Sequence, residues 1–86
     1  MTRSIHTARY ETLRRLLVAA RKEAGLTQEQ VAARIRRPQS YLSKVEHGDR
    51  RLDVVEFLEL AEAISADAQD LVRQIAAIGS KGSKRR

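Results

Sequence analysis

The stretch that decides the fold is RRPQSYLSKVEHGDRR, residues 36–51. At about 100° per residue, a helix from Pro38 to His47 places Pro38, Leu42 and Val45 on one buried side. The opposite side carries Gln39, Ser40, Ser43, Lys44 and His47, and residues 39–45 contain no acid. Amides, hydroxyls and one cation suit contacts with base edges and phosphates. A surface helix of chance composition is the alternative interpretation.

Helical spacing on both sides of this stretch predicts four more helices, so the fold class is expected to be all-α with five helices. The first helix runs from about Thr7 to Ala24 and ends at Gly25, which suits a left-handed stop. Thr27 caps a short second helix, and Gln30 is expected to bond back to the cap amide. The apolar positions of these two helices are Tyr10, Leu13, Leu17, Ala20, Val31, Ala32 and Ile35.

Two helices are predicted after the deciding stretch. Asp53 caps the fourth helix, which is expected to bury Val54, Phe57, Leu58, Ala61 and Ile64. The fifth, residues 67–78, has apolar Ala68, Leu71, Val72, Ile75 and Ile78. We expect a flexible arm at 1–8, a folded domain at 9–78 and a flexible basic tail, GSKGSKRR, at 79–86.

The composition restricts the class of protein. With 86 residues, one small domain is expected, and the absence of cysteine excludes a disulfide framework and a thiolate metal site. No signal peptide or membrane span is predicted, so we expect a cytoplasmic protein. The sequence contains no catalytic triad, metal-ligand or phosphate-loop pattern, and we therefore expect no enzyme activity and no cofactor.

The charge is unevenly distributed along the chain. The formal net charge is +6, with +7 in residues 1–51, −5 in 52–78 and +4 in 79–86. A basic face for a polyanion such as nucleic acid is one interpretation, because phosphate neutralisation supplies affinity that does not depend on base sequence. A protein that is merely basic is the other, and charge alone does not distinguish them.

Residues 9–66 resemble the lambda-repressor-like, XRE-type helix-turn-helix family. The matching text is RKEAGLTQEQVAARI followed by PQSYLSKVEHGDRRLDVVEFLELAEAI. It holds the Gly-Leu-Thr-Gln-Glu opening of helix two, the Ser-x-x-Glu-x-Gly close of helix three and an apolar fourth helix. The resemblance implies that helices two and three form the helix-turn-helix and that helix three enters the major groove of double-stranded DNA.

The resemblance also implies residue roles. The base-reading positions are Gln39, Ser40 and Lys44. Those expected at the DNA backbone are Gln28, Arg36, Arg37, Tyr41, Ser43, Arg50 and Arg51. Arg21 and Glu46 match a structural ion pair between helix one and the end of helix three. Tyr41 could instead belong partly to the core, and Arg36 and Arg37 could be solvated turn residues.

Arg36 departs from the family pattern, since many relatives have a glycine with positive φ there. A non-glycine residue in that conformation costs on the order of 1–2 kcal/mol. Either the turn has another geometry in this chain, or a phosphate contact by Arg36 offsets the strain.

One helix reads only a few base pairs, so we expect a homodimer on an inverted repeat, acting as a transcriptional repressor. Leu71, Ile75 and Ile78 are the candidates for the dimer interface, although they could instead close the monomer core. We expect no small-molecule effector domain. The alternative is an antitoxin or adaptor whose main role is to bind a protein partner, with DNA binding for autoregulation.

Overall fold

In a computed structural model, which describes residues 7–78, the chain folds into five α-helices, and those residues form no strand. The helices are α1 Ala8–Glu23, α2 Gln28–Arg34, α3 Gln39–His47, α4 Val54–Ile64 and α5 Ala68–Ala77. The predicted all-α class with five helices is confirmed. Most of the predicted arm and the basic tail, residues 1–6 and 79–86, lie outside the described residues.

The helix starts and stops follow local chemistry. Thr27 Oγ1 accepts from the Gln30 amide at 3.0 Å, and Gln30 Oε1 accepts from the Thr27 amide at 2.8 Å, which is the predicted reciprocal cap. Gly25 after α1 and Gly48 after α3 have φ of 75° and 96°. A left-handed φ interrupts the helical path and so ends both helices. Glycine occupies these positions because residues with a Cβ adopt this conformation at a cost.

The start of α3 differs from the prediction. Pro38 is the N-cap and not a helical residue, with an extended ψ of 155°, and its side chain is exposed instead of buried. Its carbonyl accepts from the Tyr41 amide at 3.0 Å. The ring therefore lies outside the helix, and Leu42 and Val45 alone form the deeply buried stripe that the spacing predicted for Pro38, Leu42 and Val45.

The core is aliphatic and lies between α1, α2, α4 and the inner side of α3. Its most buried members include Leu17, Val31, Ala32, Leu42, Val45, Leu60, Ala61 and Ile64. The prediction for α4 was wrong at Val54 and Leu58, which are 73% and 42% exposed. The inward stripe of α4 is Phe57, Leu60, Ala61 and Ile64, and Val54 lies in the first turn, beyond the edge of the core.

The two ends of the described chain meet. Arg9 Nε donates to the carbonyl of Ile78 at 2.7 Å and Arg9 Nη2 to that of Ala76 at 3.1 Å. These bonds satisfy carbonyls that the end of α5 leaves without helical partners. Among residues 7–78, no helix is long and apolar enough to cross a membrane.

Candidate nucleic-acid interface

The outward face of α3 carries the three predicted base-reading residues. Gln39, Ser40 and Lys44 are exposed, and Ser43 is half-buried beside them. Within residues 7–78 the side chains of Ser40 and Lys44 make no hydrogen bond or ion pair, so their polar groups face solvent. The face therefore presents an amide, a hydroxyl and a cation together, without a carboxylate among residues 39–45.

Gln28 joins this face to the scaffold. Gln39 Nε2 donates to Gln28 Oε1 at 2.7 Å, and Gln28 Nε2 donates to Glu46 Oε1 at 2.8 Å. Because these two bonds use opposite ends of the Gln28 amide, they fix its orientation. They also restrict the rotamers of Gln39, whose own carbonyl oxygen stays available to a ligand.

The predicted ion pair between Arg21 and Glu46 is present. Arg21 Nε and Nη2 donate to Glu46 Oε2 and Oε1 at 2.6 and 2.9 Å, and the side chains are only 11% and 9% exposed. Arg21 Nη1 also donates to the carbonyl of Leu26 at 2.9 Å. The hydrogen bond to Glu46 raises the pKa of Arg21 above its ordinary value. The pair fixes α1 to the end of α3.

A second cluster surrounds Tyr41, which the resemblance placed at the DNA backbone. The residue is 8% exposed and belongs to the core. The guanidinium carbons of Arg37 and Arg50 lie 4.5 and 4.8 Å from its ring centroid. Tyr41 is thus partly core, which was the open alternative, and the cations that lie against its ring are the two arginines.

The carboxylate of Glu56, in α4, binds the two arginines that lie against Tyr41. Arg50 Nη1 and Nη2 donate to its two oxygens at 3.1 and 2.9 Å, and Arg37 Nη2 lies 3.8 Å from Oε2. The bond from Arg50 is the main cause that lowers the pKa of Glu56 below 4.5, and it raises the pKa of Arg50. Burial is the main cause that raises the pKa of Tyr41, to which Glu56 adds.

The turn between α2 and α3 keeps the left-handed residue. Arg36 has φ of 60°, so the geometry is the one that glycine favours and the side chain points into solvent. The alternative of another turn geometry, which the sequence left open, is thereby excluded. The strain of about 1–2 kcal/mol is present in the turn.

Tyr10 of α1 holds the loop between α3 and α4. Its hydroxyl accepts from the Leu52 amide at 3.1 Å and donates to the Arg50 carbonyl at 3.4 Å. The guanidinium carbon of Arg51 lies 4.3 Å from the Tyr10 ring centroid. The loop that carries two of the predicted backbone arginines is therefore fixed from α1.

The predicted dimer residues on α5 separate into two groups. Leu71 is 7% exposed and packs in the core, so the structure removes it from the surface. Ile75 and Ile78 are half-buried. Ile75 lies in an apolar groove beside the exposed Val54 and Val72, and Leu13, Leu52 and Phe57 also line this groove. The sequence interpretation missed α4 as the larger apolar surface.

Sequence reasoning also missed Tyr10 and Glu56 as residues that shape this interface. A signal for Glu56 was present, since Asp53 is followed three residues later by a glutamate, and the reciprocal cap forms at 2.7 and 3.0 Å. That cap places the Glu56 carboxylate at the start of α4, beside the loop that ends α3. No comparable signal existed for Tyr10, which was identified only as an apolar position.

Known proteins resemble this chain in sequence. A family model described as helix-turn-helix matches residues 17–71. A Sinorhizobium fredii protein, named uncharacterized HTH-type transcriptional regulator y4dJ, is 46% identical over 52 residues, which cover 60% of this chain and 68% of that protein. The residues that the family model matches include α2 and α3 in full.

Solved structures of other proteins share the fold of this chain. An XRE-family like protein from Pseudomonas syringae pv. tomato superposes with a TM-score of 0.81 and 47% identity, over 87% of this chain and 92% of its own. The clp gene regulator ClgR from Corynebacterium glutamicum gives a TM-score of 0.72 at 24% identity, over 81% of this chain and 74% of its own. The restriction-modification controller protein C.Esp1396I gives a TM-score of 0.74 at 17% identity, over 83% of this chain and 93% of its own. The last two likenesses concern the fold alone.

Proposed function

Because the chain belongs to the XRE-type helix-turn-helix family of DNA-binding transcriptional regulators, which are not enzymes, we propose that it is a repressor that binds an inverted-repeat operator as a homodimer. In this proposal α3 lies in the major groove, and Gln39, Ser40 and Lys44 contact base edges. The observation that carries the proposal is the acid-free outward face of α3, on which Gln39 is already oriented by Gln28.

The chemistry of the face supports direct reading of bases. A glutamine amide pairs bidentately with adenine, and a lysine donates to the acceptors of guanine. Ser40 and Lys44 are exposed without partners among residues 7–78, so a base contact replaces only hydration at these two positions. Gln39 keeps its carbonyl oxygen and one amide hydrogen for the same purpose.

The surrounding cations support contacts with the DNA backbone. Arg36, Arg37, Arg50 and Arg51 lie in the two loops that precede and follow α3. Arg37 and Arg50 meet at the Tyr41 ring, so DNA docked beside α3 brings its backbone to both guanidinium groups, which match phosphate geometry bidentately. We place Gln28 and Ser43 beside them as uncharged backbone contacts, and Tyr41 as the ring that supports the arginines.

An apolar surface on α4 and α5 supports the homodimer. Val54, Val55, Leu58 and Val72 are 73%, 62%, 42% and 51% exposed, and Ile75 lies in the adjoining groove. Contiguous exposed apolar side chains of this kind mark interaction sites. Two copies joined here would present two α3 helices, with half-site centres about 34–36 Å apart for successive major grooves. Ile78 adjoins the same end of α5.

The apolar surface on α4 and α5 also suits a protein partner other than a second copy of this chain. An antitoxin or adaptor is therefore the second candidate function. In that case the DNA-binding face serves autoregulation, and the apolar surface binds the partner chain. The two candidates differ in what the isolated protein does, because only the first requires self-association and an inverted repeat.

Selection of bound duplexes from random DNA tests the proposal, with the wild type beside the Gln39→Ala plus Lys44→Ala double variant. We expect an inverted-repeat motif for the wild type, and a motif that is relaxed or lost for the variant. Arg73→Ala serves as the matched control, because it removes a cation from α5, away from α3. An experiment that enriches no motif, with binding that only falls with salt, contradicts the proposal and favours the second candidate.

A further inference from the structure

The carboxylate of Glu56 pairs with two of the arginines that flank α3. Glu56 is 14% exposed and accepts two hydrogen bonds from Arg50, at 3.1 and 2.9 Å, while Arg37 lies 3.8 Å away. Its own position is fixed, because Oε1 also accepts from the Asp53 amide at 3.0 Å. A single acid therefore contacts one arginine from the loop before α3 and one from the loop after it.

The two arginines are ordered by this arrangement but are not removed from solvent. Their side chains are 37% and 38% exposed, and both guanidinium groups lie against the Tyr41 ring. The ring packs in the core, so it limits the positions that each guanidinium can take. Arg50 Nη1 also donates to the Arg51 carbonyl at 2.7 Å, which further limits its freedom.

We propose that Glu56 is a positioning residue that sets the specificity of DNA binding, by holding Arg37 and Arg50 where only correctly docked DNA brings phosphates to them. This inference deepens the proposed function and rests on it. The Glu56 carboxylate also offsets one positive charge beside α3. It therefore weakens the attraction between any DNA phosphate and the two arginines, Arg37 and Arg50. Random DNA is therefore bound less strongly than two free arginines would bind it.

The expected behaviour follows from the ion atmosphere of DNA. Each additional phosphate neutralised by a protein steepens the dependence of log K on log salt concentration by about 0.9, which is on the order of tenfold in affinity at 0.1 M salt. Arginines released from Glu56 gain such contacts on any sequence. On the operator they gain little, since docking already brings phosphates to them, and their loss of order weakens the specific complex.

Glu56→Gln tests the inference, because glutamine keeps the side-chain carbonyl that caps α4 and loses the charge. Binding of the selected operator and of a random duplex is measured by fluorescence anisotropy over about 50 to 200 mM KCl. We expect the ratio of operator to random affinity to fall on the order of tenfold, and the salt slope on random DNA to steepen by about 0.9.

Two further variants separate positioning from other roles. Glu59→Gln removes the same charge from the next turn of α4, where the side chain lines a groove with Arg36 but has no hydrogen bond or ion pair within residues 7–78, and should change the ratio less than Glu56→Gln does. Glu56→Gln combined with Arg50→Gln should return the salt slope on random DNA to the wild-type value. Equal effects of the two glutamate variants would show that net charge alone matters and would overturn the inference.

The remaining outcomes are also distinct. An equal loss of affinity for both duplexes, together with a lower folded fraction by circular dichroism, makes Glu56 a structural residue only and overturns the inference. If the wild type prefers its operator and Glu56→Gln keeps the full ratio, this inference alone fails. If the wild type shows no preference for any duplex, the proposed function fails and the inference fails with it.

Discussion

Glu46 accepts two hydrogen bonds from Arg21, at 2.6 and 2.9 Å, and a third from Gln28 at 2.8 Å. Its carboxylate therefore joins α1 and α2 at the end of α3. The pose of the outward face of α3 depends on this junction, because Gln28 in turn holds Gln39.

Glu46→Ala is expected to destabilise the fold by about 3 kcal/mol, because it leaves the Arg21 guanidinium buried without its counter-charge. Replacing both residues, as Arg21→Met with Glu46→Leu, should cost clearly less than the sum of the single changes. Urea unfolding followed by circular dichroism measures both. Additive losses would contradict the account of a coupled buried pair.

Gln28→Ala is expected to weaken operator binding by at least about 1 kcal/mol, or roughly fivefold in Kd, since Gln39 loses the bond that orients its amide and the DNA backbone loses the proposed contact with Gln28. Fluorescence anisotropy with the selected duplex measures the change. Gln74→Ala is the control, because this glutamine lies on α5 and bonds only to Asp70. Equal Kd values for the two variants would argue against the orienting role of Gln28.

Two residues with positive φ provide a matched pair, Arg36 at 60° and Ser65 at 64°. Glycine at either position should relieve strain and change stability by no more than about 1 kcal/mol in the favourable direction, since the unfolded chain also gains freedom. Only Arg36→Gly should weaken DNA binding, because only Arg36 lies beside α3. Thermal unfolding and anisotropy measure the two effects, and equal DNA affinity of both variants would remove Arg36 from the interface.

Stability should depend on acid through Glu56. Its folded pKa lies below 4.5, so its contribution is complete above that pH and is lost as the pH falls through the folded pKa. The difference in urea midpoint between the wild type and Glu56→Gln should therefore be constant from pH 7 to about 5 and close at lower pH. A difference that already closes between pH 7 and 6 would point to another group.

Val54→Lys should weaken self-association, because it places a charge in the exposed apolar surface of α4 and α5. We expect the dimer dissociation constant to rise by at least on the order of tenfold, measured by sedimentation equilibrium. Ala19→Lys adds the same charge on the exposed face of α1 and should have no effect. Unchanged association of Val54→Lys would show that the interface does not include Val54.

The local signals in the sequence were sufficient for the five helices and for most of their limits, the start of α3 at Pro38 excepted. Thr27 with Gln30 predicted a reciprocal cap, and Gly25 predicted a left-handed stop, because both depend only on residues adjacent in the chain. The outward set of α3 also followed from spacing alone. The Arg21–Glu46 pair required the resemblance, since its partners are separated by 25 positions.

Tertiary packing decided what spacing could not. Whether Val54 is buried depends on where the core ends relative to the first turn of α4, and periodicity is the same on both sides of that edge. Leu71 and Ile75 share one helical stripe, yet the first packs in the core and the second lines a surface groove. Tyr41 likewise packs in the core, and its ring lies against Arg37 and Arg50.

The sequence by itself determined five helices, the reciprocal cap of α2 and the polar face of α3, because short-range hydrogen bonds and the helical period depend on residues close together in the chain. Only the tertiary structure decided that Glu56 meets Arg37 and Arg50, and that Gln28 connects Gln39 to Glu46. The physical reason is that long side chains from separate helices pair according to the angle and distance at which the helices pack.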